Sequence, residues 1–72
     1  MRAVASGNEQ DALLTEVQAA DLLSLSVRTL QAWRTRGCGP AFVRAGRAVR
    51  YRRRDLFGWM DANTVHAGEA LR

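Results

Sequence analysis

A small, mostly helical α+β domain is predicted from three features of the 72-residue chain. Two stretches with a helical apolar rhythm are separated only by "SLS", Ser24 to Ser26. The rhythm then changes to alternation on either side of Gly46 and Arg47, as in a pair of strands. A helical pattern returns from Asp55. The expected order is helix, turn, helix, two-stranded hairpin, short third helix. One domain is the upper bound at this length, and its core must draw on nearly every large apolar side chain.

Residues 1–12, "MRAVASGNEQDA", mix Gly, Ser, Asn and charges without a period and read as a disordered arm. The working domain is residues 13–65, and the tail from His66 to Arg72 reads as frayed. The first helix is signalled by "TEVQAADLL". Thr15 and Gln18 have capping-box spacing, and Glu16 favours the positive helix start. Val17, Ala20 and Leu23 are expected to form its buried face. Ser24 to Ser26 makes a tight turn, with Ser26 as the next N-cap. The second helix, "VRTLQAWRTR", stops at Gly37, a residue suited to a left-handed helix end. Pro40 fixes the exit direction.

"AFVRA" and "AVRY" are β-prone runs around a Gly-Arg turn. Their alternation is expected to leave one apolar face, with Arg44, Arg47 and Arg50 pointing outward. In "DLFGWM", Leu56, Trp59 and Met60 share a helical face that closes the core. Gly58 sits inside that helix with no reason visible in the sequence. Trp33, Trp59 and Tyr51 are read as core residues rather than stacking platforms. The layout is that of a winged helix-turn-helix.

Charge indicates what such a domain would bind. Nine arginines and no acid lie between Asp21 and Asp55, while the rest of the chain carries two arginines against seven acids. The centre is therefore +9 and the flanks −5, within a net +4. A clustered field of this kind attracts polyanions. Arginine, whose planar fork bonds phosphate through two donors, supplies all eleven basic residues. "GRAVRYRRR" alone holds five of them. Cys38 is the only cysteine, so no internal disulfide forms. No apolar run approaches membrane-spanning length and no signal-peptide pattern is present, so a cytoplasmic protein is expected. No nucleophile–base pair, carboxylate constellation or metal-ligand cluster is evident, so neither catalysis nor a cofactor is expected, and His66 is assigned no role.

The segment "LLTEVQAADLLSLSVRTLQAWRTRGCGPAFVRAGRAVRYRRRDLFGWM" resembles the small excisionase and AlpA-type DNA-binding domains, relatives of the MerR DNA-binding head. The resemblance is carried by Thr15 and Glu16, Ala20 with Leu23, "SVRTLQAWR", Gly39 and Pro40, Gly46 and Arg47 leading to "VRYRR", Asp55 and Leu56, and Trp59. Ser24 stands where these domains commonly carry glycine. Arg54 stands where they often carry a serine or acidic cap, which leaves Asp55 as the expected cap. The resemblance implies a recombination directionality factor that bends attachment-site DNA, so that an integrase excises a prophage or integrated element. The alternatives are an AlpA-like promoter-binding regulator and a basic module that binds an acidic protein.

On a helical wheel centred on Leu30, Val27 and Trp33 fall on the buried side. Arg28, Ala32 and Thr35 point away, and Thr29, Gln31 and Arg36 lie on the flanks. Arg28 suits guanine, Gln31 adenine and Ala32 a thymine methyl, with Thr29 within reach of a base or phosphate. Ser26, Thr35, Arg36, Arg52, Arg53 and Arg54 are expected against the DNA backbone or flanks. The wing, with Gly46 and Arg47 at its tip and Arg44 and Arg50 beside them, is expected at the adjacent minor groove. "DANTVHAGEALR", after Met60, contains Gly68 and no heptad pattern. A monomer in free solution is therefore expected, with copies binding head-to-tail on repeated sites.

Overall fold

The computed structural model describes residues 11–70. The element order is β1 (Leu13–Thr15), α1 (Glu16–Leu23), α2 (Val27–Arg36), β2 (Val43–Ala45), β3 (Ala48–Arg52), α3 (Arg53–Ala62) and a single turn, α4 (Ala67–Ala70). This is the predicted winged helix-turn-helix with two additions, β1 and the single turn α4. Leu13–Thr15 pairs antiparallel with β3, so the wing belongs to a three-stranded sheet of order β1-β3-β2. Three residues are too few to display an alternation, which is why the strand was not expected. Most of the expected disordered arm lies outside the described residues. Its last two residues do not behave as an arm: the Ala12 carbonyl accepts from the Arg53 N–H at 3.0 Å, and Asp11 pairs with Arg54 at 3.2 Å. In the tail, expected to be frayed, residues 67–70 form the turn of α4.

Local chemistry accounts for the two helices of the motif. The Thr15 hydroxyl accepts from the Gln18 N–H at 3.1 Å while the Gln18 side-chain oxygen accepts from the Thr15 N–H at 2.9 Å. This reciprocal pair satisfies two backbone donors that a helix start otherwise leaves open. At the other end Ser24 adopts a left-handed φ of 57°, and the Leu25 N–H reaches back to the Ala20 carbonyl at 2.9 Å. Ser26 then caps α2, its hydroxyl accepting from the Thr29 N–H at 3.0 Å. Gly37 ends α2 at φ 76°, where a residue without a Cβ is unstrained. Two residues after it, Gly39 at φ 86° lies so close to Trp33 that an added Cβ would stand 2.9 Å from that side chain.

The core is Ala19, Ala20, Leu30, Tyr51 and Leu56, with Leu14, Leu22, Leu23, Val27, Trp33, Phe42 and Val49 packed around it. The expected buried face of α1 needs correction, because Val17 is 65 % exposed. The inward stripe is Glu16, Ala19, Ala20 and Leu23, spaced i, i+3, i+4, i+7. Glu16 occupies that stripe because its carboxylate finds donors there. The two small alanines of the stripe are buried in the core.

The wing also departs from expectation. Register pairs Arg44 with Val49 and Arg50 with Val43, so the two arginines lie on opposite faces of the sheet. Arg44 shares the face of Phe42, Val49 and Tyr51, with its guanidinium 5.8 Å from the centre of the Phe42 ring. Helix α3 begins at Arg53, earlier than expected, and Arg52 is its N-cap position without a side-chain cap. Asp55 is not the cap; it lies in the first turn and pairs with Arg52 at 3.2 Å. Trp59 is half-buried and packs on Trp33 with ring centroids 5.4 Å apart. Among the described residues no helix is long and apolar enough to cross a membrane.

Candidate nucleic-acid interface

Arg28, Gln31, Ala32, Thr35 and Arg36 line one shallow, open concavity on the outer face of α2. They are brought together because Leu30 is fully buried and Val27 and Trp33 turn inward, which leaves the opposite arc of the helix exposed. Three of the four expected base readers share this surface. Thr29 does not: it is half-buried, and its hydroxyl lies 2.9 Å from the Ser26 hydroxyl in the cap of α2. Ser26 likewise serves the helix start.

Two residues form the wing tip. Gly46 has φ 64°, and Arg47, which follows it, is not in the left-handed region. A positive φ at the first central position alone is the type II′ pattern, whose twist suits a two-residue hairpin. Arg47 is exposed at this tip.

The residues from positions 13 to 64, which include both helices, the turn and the wing, match the family model described as a helix-turn-helix domain. The chain belongs to the helix-turn-helix domain family. No curated protein matches it closely enough to count as a relative. The helix-turn-helix domain is a DNA-binding module, and its second helix is the one offered to the major groove.

The arginines of this helix-turn-helix domain fall into two groups. Arg34, Arg52 and Arg54 are paired with Glu16, Asp55 and Asp11. Among the described residues, Arg28, Arg36, Arg44, Arg47, Arg50 and Arg53 have no acidic partner. Arg50 donates to the Val49 carbonyl at 2.9 Å, and Arg53 lies over the Phe57 ring at 5.9 Å. The unneutralised charge is therefore on the outer face of α2, on the wing and at Arg53 in the first turn of α3. In the Arg52-Arg53-Arg54 run, Arg52 ends β3 at the N-cap position and Arg53 and Arg54 open α3.

Glu16, expected only to favour the helix start, has contacts across the motif that the sequence does not show. Its carboxylate accepts from Arg34 Nε at 3.1 Å and Nη2 at 3.4 Å, from Tyr51 Oη at 3.4 Å and from Gln31 Nε2 at 3.4 Å. One carboxylate thus links α1, α2 and β3. The Glu16 hydrogen bond holds the Arg34 guanidinium above its ordinary pKa, so Arg34 is a fixed cation. Burial raises the Tyr51 pKa and the Glu16 charge adds to it, which keeps the phenol a donor. The signal in the sequence is the i, i+3, i+4, i+7 set that Glu16 heads.

Proposed function

We propose that this DNA-binding protein reads a specific duplex sequence and acts as a recombination directionality factor. In this reading α2 enters the major groove and Arg28, Gln31 and Ala32 meet base edges. Arg36 and Thr35 meet phosphate, and Arg47 reaches the adjacent minor groove. Copies bind side by side on repeated sites, bend the DNA and help an integrase assemble for excision. The integrase performs the chemistry, and the protein itself is not an enzyme.

The observation that carries the reading is the grouping of Arg28, Gln31, Ala32, Thr35 and Arg36 on one exposed surface. Bidentate donors and an apolar contact for thymine lie side by side there, without acidic neutralisation of either arginine. Resemblance of the 13–60 segment to excisionase and AlpA-type domains supports the finer role.

Footprinting and circular-permutation bending assays on DNA flanking its own gene test this reading, together with excision by a neighbouring integrase. Protected direct repeats, a bend and increased excision are expected. Protection confined to a promoter, with no effect on excision, would transfer the role to an AlpA-like regulator. Failure of short duplex DNA to compete at physiological salt would favour a basic protein-binding module.

A further inference from the structure

We infer that Glu16, although it lies on the first helix, sets the base preference of Gln31 and makes it a reader of adenine. The inference rests on the reading of α2 as the base-reading helix. Gln31 lies on the outer concavity, and its Nε2 is 3.4 Å from Glu16 Oε1. A carboxylate only accepts hydrogen bonds, whereas a glutamine amide has one accepting and one donating end. The amide must therefore turn its NH2 toward Glu16.

Glu16 itself is anchored. Its other oxygen, Oε2, accepts from Arg34 Nε at 3.1 Å and from Tyr51 Oη at 3.4 Å, and its side chain is only 15 % exposed. With one amide hydrogen held by this anchored group, Gln31 presents its carbonyl oxygen and its second N–H outward. That pair matches adenine, which offers a donor at N6 and an acceptor at N7 in the major groove. Guanine and thymine place acceptors opposite the carbonyl and are rejected. Cytosine, with a donor at N4 alone, satisfies half of the pattern. Glu16 is thus a positioning residue that acts without touching DNA.

Substitution of Glu16 by Gln reverses the logic. Oε2 takes the shorter Arg34 contact, at 3.1 Å, and the Tyr51 hydroxyl, whereas Oε1 meets Arg34 Nη2 only at 3.4 Å and the reversible Gln31 amide, so the new side chain keeps its carbonyl at the Oε2 position and places NH2 toward Gln31. Gln31 then rotates its carbonyl inward and offers donors to the groove. Selection from a randomised duplex library by the wild type, Gln31→Ala and Glu16→Gln tests this, with thermal melts to check folding. The wild type should prefer adenine at one position, and Gln31→Ala should lose that preference by about tenfold at that position only. Glu16→Gln should shift the same position toward guanine or thymine while the Arg28-dependent position is unchanged.

A wild-type preference for guanine or thymine at the Gln31-dependent position would overturn the inference even if Glu16→Gln failed to fold. So would a folded Glu16→Gln protein that kept the adenine preference at full strength. A wild type that enriches no motif at all would instead defeat the sequence-specific reading on which the inference rests.

Discussion

Leu30 and Leu56 have no exposed surface, and they join α2 and α3 to the single core beneath the sheet. Truncating either to alanine should cost about 2–5 kcal/mol, because so small a core cannot collapse to fill the cavity. Thermal melts should show both variants largely unfolded. Trp59→Ala should cost less, because Trp59 is half-buried and rests on Trp33 outside the central cluster. A Trp59→Ala melt as low as that of Leu30→Ala would contradict this ranking.

Tyr51 adds a pH dependence. Its pKa is raised, first by burial and then by the Glu16 charge, so the folded state holds the phenolic proton more tightly than the unfolded chain does. The stabilisation is fully present below the ordinary tyrosine pKa of 10.0 and is lost as pH rises through the higher folded value. Urea titrations from about pH 8 to 11 should show a fall in stability beginning near the ordinary tyrosine pKa. Tyr51→Phe should remove that part of the fall.

The elements contain two avoidable costs. Gly58 lies in the middle of α3, and an added Cβ would meet nothing within 4 Å. Gly58→Ala should therefore stabilise the domain by about 1 kcal/mol. Ser24 is the only described non-glycine residue with a positive φ. Left-handed backbone costs an L-residue roughly 1–2 kcal/mol, partly offset by the greater chain freedom of glycine. Ser24→Gly should gain about 0.5–1 kcal/mol in a denaturant titration, whereas Gly39→Ala should destabilise through its clash with Trp33. Features that depend on local chemistry were legible in the sequence: both N-caps, the ends of α2, the wing turn and the outward arc of α2. Features that depend on tertiary contact were not. Strand β1 exists because β3 offers it a free edge, and Val17 is exposed because the paired Glu16 occupies the inward stripe. Asp55 meets Arg52 because α3 starts two residues before the acid that was expected to cap it. A helical wheel identified Arg28, Gln31 and Ala32 as neighbours, but only the fold showed that Thr29 is bound to the cap and Gln31 to another helix.

At the scale of the whole molecule, the excess of arginine over acid is sorted by pairing. The central +9 is not a uniform patch, because Arg34 is tied to Glu16 inside the motif, and Arg52 and Arg54 meet acids at the start of α3. The Arg54–Asp11 pair is largely exposed and contributes little to stability, but it places a negative charge beside that arginine. Long-range attraction to DNA should therefore be carried by Arg28 and Arg36 on α2, by Arg44, Arg47 and Arg50 on the wing and by Arg53 on α3. Each phosphate contact releases condensed counterions, so its loss lowers the salt slope of binding by about one unit. Titrations of Arg36→Ala and Arg47→Ala at several salt concentrations should show this decrease for any duplex, and Arg47→Ala should also weaken the preference for A·T-rich flanks. Arg54→Ala should leave the slope nearly unchanged. Arg28→Ala should behave differently again, losing about 1–3 kcal/mol of discrimination between specific and random duplexes. If the Arg54 variant lost a full unit of slope while the Arg47 variant lost none, the α3 end and not the wing would be the surface that holds the backbone.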